Sequence, residues 1–335
     1  MSIVTVLSFT PYILAFIFLL AVLILVHEAG HFFVAKAFKV KVLEFGLGFP
    51  PRLWGTRRGD TLYSVNAIPL GGFVKMVGEE DPSEPGSLAG KTVGVRFLVM
   101  AAGPFMNGFL ALLLFSLLFM VPQQVIVGDV QVLRVDPGSP AQHAGIAPGD
   151  VVVAVDGHSI GNHADLQYRI GLRLGAETTW LLQREGQRIS ARLVPRFNPP
   201  EGQGPTGIQV TTASPRLESR ANPPWTAVAK GAVRMRDVLV FAKNEFTKWL
   251  SGGVAPEVTG PIGMAQVFGE VASEQGFPLA DRLMVITNLA AAISFSLAIF
   301  NILPFPALDG GRILFVGIEW VRRGKRVSPQ KEGLV

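Results

Sequence analysis

The 335-residue sequence contains no cysteine, which excludes disulfide bonds, haem–thiolate ligation and zinc sites built from thiolates. Any metal ion in this protein must therefore be held by histidines and carboxylates. Charged residues are also scarce, at 16% of the chain, whereas hydrophobic residues make up 49% and the mean hydropathy is positive. This composition is typical of a membrane protein with a modest soluble part.

The net charge of +5 does not indicate nucleic-acid binding, because no basic stripe with interleaved aromatic residues is present. The basic residues gather instead beside three apolar segments, at about residues 9–35, 97–121 and 282–303, each near the ~20 residues that cross a bilayer. Between the first and second segments the basic residues are Lys36, Lys39, Lys41, Arg52, Arg57, Arg58, Lys75, Lys91 and Arg96. After the third segment they are Arg322, Arg323, Lys325 and Arg326. The positive-inside rule places both groups in the cytoplasm, with the N-terminus and residues 122–280 outside.

The most informative motif is His27-Glu28-Ala-Gly-His31, at the cytoplasmic end of an apolar run that carries no charge over residues 13–26. Residues four apart share one helix face, so both imidazoles can reach one metal ion, and Glu28 can reach a water on it. This is the arrangement of zinc proteases, two ligands and a general base. A signal peptide fits poorly, because no Lys or Arg precedes Tyr12.

A third ligand is expected where the third apolar segment ends, in Asn301-Ile-Leu-Pro-Phe-Pro-Ala-Leu-Asp309-Gly-Gly. Pro304 and Pro306 break a helix, so the chain unwinds at the membrane level of the HExxH motif. An open catalytic zinc site needs three protein ligands, and Asp309 is the best candidate. The alternative role of Asp309 is the N-cap of a helix over residues 313–321, and the two roles do not exclude each other.

Residues 40–78 predict three short strands, at 40–45, 62–67 and 73–77, separated by glycine and proline turns. A small sheet with a free edge beside a protease site can hold an extended substrate by strand addition. The candidate edge strand covers residues 68–75 and includes Ile68, Pro69, Leu70, Gly71 and Gly72. The alternative is an ordinary cytoplasmic hairpin.

The sequence predicts a compact α+β module followed by a linker and a long helix. Residues 125–197 read as the module, residues 198–224, rich in Pro, Gly, Ser and Thr, as the linker, and residues 225–250 as an amphipathic helix. That helix either lies on the outer membrane surface or packs on the spans. The predicted domains are a catalytic core in two parts (1–121 and 281–335), the module (122–200), and the linker with the surface helix (201–280).

These motifs together resemble the site-2 protease family, in its bacterial branch, the regulator-of-sigma-E type of intramembrane zinc metalloprotease. The resembling pieces are the HExxH motif, Phe45-Gly-Leu-Gly-Phe-Pro, Ile68-Pro-Leu-Gly-Gly-Phe-Val-Lys, Ala102-Gly-Pro-Phe-Met-Asn107, Val135-Asp-Pro-Gly-Ser-Pro-Ala, Thr259-Gly-Pro-Ile-Gly263 and the segment from Asn301 to Gly311. The pairing of HExxH with NxxPxPxLDG across two spans is the most specific part of this resemblance.

The resemblance implies a polytopic α-helical membrane protein with a membrane-reentrant β segment and one inserted α+β PDZ domain. It implies zinc as the cofactor, held by His27, His31 and Asp309, with Glu28 as the catalytic base. Asn301 is implied to bind or orient the substrate strand, although it could equally cap the broken helix. Asn107 is expected to be structural.

The implied function is hydrolysis of a peptide bond in or near a transmembrane helix of a membrane protein that another protease, of the site-1 type, has already trimmed. Anti-sigma factors and remnant signal peptides are the implied substrates, and the bacterial cytoplasmic membrane is the implied location. The PDZ-like module lies outside, and the active site lies near the cytoplasm. That module either binds a newly exposed C-terminus or excludes large ectodomains, and the resemblance favours exclusion.

Two features depart from these relatives, which carry two PDZ domains and a fourth span. This chain has room for one module, and it reaches residues 328–335 where the fourth span would begin, so we expect either a truncated chain or a natural C-terminus that lies beyond the given sequence. Two other functions are possible alternatives for such a sequence. A membrane-anchored adaptor with a structural zinc site needs a fourth ligand that is not obvious in the sequence. A transporter needs an internal repeat, and none is found.

Overall fold

The computed structural model describes residues 3–79, 81–252, 263, 268–270 and 278–323. In chain order its elements are α1 (Ile3–Ala37), β1 (Val42–Arg58), β2 (Thr61–Met76), α2 (Val93–Met120), β3 (Gln123–Val135), α3 (Pro140–His143), β4 (Val151–Val155), β5 (His158–Ser159), α4 (His163–Leu172), β6 (Thr178–Arg184), β7 (Gln187–Leu193), β8 (Ile208–Arg220), α5 (Pro224–Leu250), α6 (Leu279–Ile302) and α7 (Asp309–Val321). The chain divides into two compact units, residues 1–118 with 259–335, and residues 119–258.

Three helices of the described chain are long and apolar enough to cross a membrane, over Pro11–Ala37, Val93–Met120 and Leu279–Ile302. They coincide with the three apolar segments of the sequence, so the prediction of apolar spanning helices combined with β structure is confirmed. Large side chains on α1 such as Leu14 and Phe18 are 61% and 71% exposed. A helix that is apolar all round and still exposed is typical of lipid contact.

The chain turns directly from α1 into the first sheet. Lys39 adopts a left-handed conformation, with φ 57°, and the Val40 N–H donates to the Ala35 carbonyl over 2.8 Å, which closes the helix end. Val40 and Val42 then bury against Phe32 and Val99 in a core shared by α1, β1 and α2. This packing fixes the sheet beside the end of α1 that carries the HExxH motif.

Residues 40–78 form two long strands where the sequence predicted three short ones. β1 and β2 have 17 and 16 residues and pair antiparallel with several register shifts. Residues 44–47 pair both with residues 62–65 and with residues 72–75, so the strands curl back on each other. The expected breaks at Gly46, Gly48 and Pro50 are absorbed inside β1, because bulges tolerate glycine and proline.

The second unit contains a sheet in the order β7-β6-β4-β3-β8, with β5 paired to β4. Its core includes Trp180, Leu182, Val130 and Leu166, all 1% exposed or less. Strand β4 (Val151–Val155) lies in the middle of this sheet, between β6 and β3. Asn162 caps α4 and accepts a hydrogen bond from the Asp165 N–H over 2.8 Å.

The prediction of a linker over residues 198–224 was wrong, because β8 occupies thirteen of those residues. It pairs antiparallel with β3, from Gln123 opposite Arg220 to Val135 opposite Ile208. β8 stands at the end of the sheet order, and much of its length is exposed. An exposed edge strand carries many polar residues, which explains why its composition resembled that of a linker.

The predicted amphipathic helix is present as α5, and it packs on α4 through Phe241 and through polar residues. The Tyr168 hydroxyl donates to Asp237 over 2.5 Å, and the Asn244 amide donates to the Gly171 carbonyl over 2.8 Å, which attaches α5 to α4. Trp225 and Phe246 are 75% and 54% exposed. The predicted element at residues 259–263 lies, except for Gly263, outside the described residues, as does the stretch after residue 323.

Candidate metal centre

Three side chains from distant parts of the chain meet in the C-terminal half of α1, about two to three turns before the helix ends. His27 and His31 project from α1, and Asp309 projects from the first turn of α7. The Asp309 Oδ2 atom lies 2.9 Å from His27 Nε2 and 3.2 Å from His31 Nε2, and the two Nε2 atoms are 3.3 Å apart. In the part of the chain that the structure describes, the ligand atoms of these three residues lie close enough together to hold one metal ion.

The geometry of these three atoms fits a zinc ion. A tetrahedral zinc with bonds of about 2.0–2.2 Å has ligand atoms about 3.3–3.6 Å apart. The separations of 3.2 and 3.3 Å are close to that range, and the His27–Asp309 separation of 2.9 Å is a few tenths of an ångström shorter, so a small outward shift of Asp309 accommodates the ion. Two imidazoles and one carboxylate leave the fourth position open, and within the described chain the group includes no fourth ligand. An open position is typical of catalytic zinc and not of a structural site.

Asp309 reaches the histidines because the chain breaks between α6 and α7. Residues 303–308 are not helical, and Ala307 has a φ of 66°. A Cβ atom on Gly310 would overlap the Leu303 carbonyl oxygen, so only glycine permits this close return of the chain. Leu308, not Asp309, is the N-cap of α7, which makes the alternative N-cap role of Asp309 wrong. Asp309 instead stands in the first turn, where a negative charge suits the helix dipole.

His31 is oriented by a backbone group that the sequence analysis did not identify. Its Nδ1 atom lies 2.7 Å from the carbonyl oxygen of Val99 in α2. A carbonyl can only accept, so in the neutral imidazole the proton sits on Nδ1 and the Nε2 lone pair is free for a metal. The second helix therefore selects the tautomer that a metal ligand requires.

Small residues allow α1 and α2 to approach this closely. A Cβ atom on Gly103 would overlap His31 Nε2 and lie 2.7 Å from His27 Nε2, and one on Gly30 would overlap the Ala102 carbonyl oxygen. Nothing in the sequence pattern singles out Gly103, although small residues in a span often mark tight helix packing. Gly103 is the position on α2 that faces both candidate ligands.

Glu28 and His31 line a cavity of about 290 Å³ together with Asp309 and the strand residues Gly72 to Val74. A Cβ atom on Gly72 would lie 3.2 Å from Glu28 Cγ, so β2 passes directly beside the candidate base.

The predicted substrate strand is only partly at this cavity. Gly72 lines it, whereas Ile68, Pro69 and Gly71, which the structure also describes, do not, and the side chain of Leu70 lies outside the described residues. Phe73 and Val74 line the cavity instead. Both belong to the predicted edge strand over residues 68–75 but were not among its named substrate-binding candidates.

Asn301 lies in the last turn of α6 and hydrogen-bonds within its own helix. Its Nδ2 atom donates to the Leu297 carbonyl over 2.9 Å. A contact with a substrate strand stays a prediction for this residue.

Two ion pairs hold α7, and neither was apparent in the sequence because the partners are more than 200 residues apart. Arg96 of α2 and Glu319 are buried and 2.5 Å apart, and Arg312 pairs with Glu79 over 2.9 Å at the cavity that contains Glu28. These contacts fix the helix whose first residue is Asp309.

Comparisons with known proteins match nearly the whole chain. The profile of peptidase family M50 covers residues 15–335. Three relatives named "Putative zinc metalloprotease" come from Agrobacterium fabrum (32% identical, 93% of this chain and 87% of the relative), Rhizobium meliloti (33%, 95% and 89%) and Clostridium perfringens (35%, 93% and 89%).

We predict that Gly103→Ala weakens zinc binding about tenfold or more, because its Cβ atom displaces both imidazoles. The matched control is Gly108→Ala in the same helix, where the nearest atom to a new Cβ is Ala298 Cβ at 3.9 Å. Both variants gain the same helix propensity, so a difference between them reports the clash. The measurement is zinc retained by the purified chain against a competing chelator. Equal retention by both variants would contradict the close packing described here.

Proposed function

The chain belongs to peptidase family M50, and we propose that it hydrolyses a peptide bond in or near a transmembrane helix of another membrane protein. It is a zinc metalloprotease and a membrane protein. The observation that carries the proposal is the position of the three-ligand group. It lies in the C-terminal half of an apolar helix, and two of its members, His31 and Asp309, line one cavity with Glu28 and a strand of the first sheet.

Each polar residue of the centre has a defined task in this proposal. His27, His31 and Asp309 hold the zinc ion, which supplies Lewis acidity to the attacking water and the scissile carbonyl. Glu28 accepts the proton of the water as it attacks, and then passes it to the departing amine nitrogen. Glu28 is suited to this task because it lies in the helix turn that carries both histidines and faces the same cavity.

The substrate is proposed to bind as an extended strand along β2. A transmembrane helix hides its carbonyl groups in hydrogen bonds, so it must unwind before a water can attack. Residues 72–75 pair with β1 on one side, and Gly72 to Val74 line the cavity beside Glu28, so a substrate strand placed there would reach the base. Leu53 and Trp54 of β1 are 71% and 60% exposed, which supports a sheet that enters the membrane.

The second unit is proposed to be a PDZ-like domain that excludes substrates with large ectodomains. The positive-inside rule puts residues 122–280 outside a bacterial cytoplasmic membrane, with the zinc centre near the cytoplasm. Only a substrate that an earlier protease has already trimmed can pass this size filter. Anti-sigma factors and remnant signal peptides are the proposed substrates of this type.

We predict that Glu28→Gln retains zinc and loses cleavage of a short-ectodomain transmembrane substrate by about 10²-fold or more, because general acid–base catalysis contributes about that much. The measurement compares the two purified chains in detergent with zinc and determines their metal content. Cleavage at an equal rate by both chains would remove Glu28 from the mechanism. A wild-type chain that holds zinc but cuts nothing would favour the adaptor function.

Substrates with weakened helices should be cut faster, because unwinding precedes attack. Each Leu→Gly change costs a helix about 1 kcal/mol, so two changes at the cleavage region should raise the rate up to ~30-fold. The control substrate carries the same two changes at the opposite end of its span. Equal rates for all-leucine, control and weakened substrates would argue against strand-like binding.

Removing the proposed filter should permit cleavage of an untrimmed substrate. Gln123 and Arg220 are register partners at the ends of β3 and β8, so their Cα atoms lie about 5 Å apart and a short Gly-Ser link can replace residues 124–219. The cut exposes Asp237 and Asn244 of α5, which water can solvate. We expect the shortened chain to cut a large-ectodomain substrate, and the same chain with Glu28→Gln not to. Cleavage of only the short substrate would indicate peptide binding by this unit instead.

A further inference from the structure

Asn107 is a fully buried polar residue of α2 at the far side of the His27 ring. Its side-chain Nδ2 atom lies 3.4 Å from His27 Nδ1, and its exposed fraction is 0%. Its backbone carbonyl accepts a hydrogen bond from Ser294 Oγ of α6 over 2.9 Å. Asn107 is thus held between the helix that carries the histidines and the helix that leads to Asp309.

The assigned orientation of this amide conflicts with the task of His27. An Nδ2 group can only donate, so it requires an unprotonated Nδ1 and leaves the ring proton on Nε2, which lies 2.9 Å from Asp309. A histidine that binds metal through Nε2 needs the opposite tautomer, with the proton on Nδ1. Two N–H groups would then face each other across 3.4 Å.

Turning the amide about its last torsion removes this conflict. The oxygen and nitrogen of an amide are similar in size and exchange places in this turn, so either orientation occupies the same space. The Asn107 Oδ1 atom is buried and has no hydrogen-bond partner among the described residues. The turn places this unused acceptor against the Nδ1–H of His27.

His31, the second candidate ligand, also has an oxygen acceptor next to its Nδ1 atom. His31 Nδ1 lies 2.7 Å from the Val99 carbonyl oxygen, an acceptor on the same helix two turns before Asn107. With the amide turned, α2 offers one oxygen acceptor to each imidazole. Both rings then present an Nε2 lone pair toward Asp309.

We propose that Asn107 is a positioning residue, whose side-chain oxygen accepts the Nδ1–H of His27 and fixes the tautomer that binds zinc. This inference rests on the proposed ligation of zinc by His27. It replaces the sequence expectation that Asn107 is only structural.

Two substitutions distinguish whether the Asn107 side chain acts as a hydrogen-bond acceptor, as a donor or only by filling space. Asn107→Asp keeps an oxygen of the same shape, and Asn107→Leu keeps the volume and removes every polar atom. The zinc affinity of the full chain in detergent is measured by competition with a chelator. We expect Asn107→Leu to bind zinc 10–100-fold more weakly, the usual effect of losing a partner of a metal-bound histidine, and Asn107→Asp to bind close to wild type.

Ser116→Ala is the matched control, because Ser116 is a buried polar residue of α2 whose hydroxyl donates to Leu112 within its own helix. It should leave the zinc affinity unchanged. Melting temperatures in excess chelator report packing alone. If Asn107→Leu does not fold, the Asn107→Asp affinity decides the question.

Wild-type affinity in Asn107→Leu, or an Asn107→Asp affinity more than tenfold below wild type, would overturn the proposal. His27→Ala separates it from the proposed ligation: unchanged zinc binding there removes His27 as a ligand and the proposal with it. Loss in His27→Ala together with wild-type affinity in Asn107→Leu overturns the role of Asn107 alone.

Discussion

The candidate metal centre depends on bringing the Asp309 carboxylate to within 3.2 Å of two imidazoles on α1, a largely apolar helix. An aspartate in such surroundings is costly unless it is paired or bound to metal, so the chain must deliver Asp309 to one place. Pro304 and Pro306 end α6, and the glycines after Asp309 let α7 begin against the carbonyls of that break. The irregular backbone is the means by which a ligand enters the site.

The second helix makes this meeting possible without contributing a ligand. Gly103 gives the imidazoles room, and the Val99 carbonyl sets the tautomer of His31. Arg96, one turn before Val99, pairs with Glu319 of α7 and so links the start of α2 to the helix of Asp309. A buried ion pair adds little net stability, since desolvation offsets its attraction, but it specifies geometry. α2 therefore acts as the frame for ligands held by α1 and α7.

The sequence was sufficient for features that lie within one element or carry a strong composition signal. The three apolar helices, the HExxH face of α1 and the break before Asp309 all follow from local rules of periodicity, spacing and proline. It was insufficient where the partner is remote, as for Arg96 with Glu319, or where exposure disguises a strand, as for β8. The role of Gly103 could not be predicted either, because a glycine is required there only by the two imidazoles of another helix that occupy the space of its missing side chain.

Helix geometry also explains how one short motif can serve two surfaces. Residues 27 and 31 are four apart and point toward α2 and α7, whereas residue 28 is rotated by about 100° and reaches β2. Gly72, whose missing Cβ leaves space beside Glu28, is where that second surface begins. The two histidines and Glu28 therefore leave α1 in different directions, although Glu28 and His31 line the same cavity. If the substrate binds along β2 as proposed, a change in β2 alters substrate binding more than the ligand triangle, and a change at Gly103 alters the ligand triangle more than substrate binding.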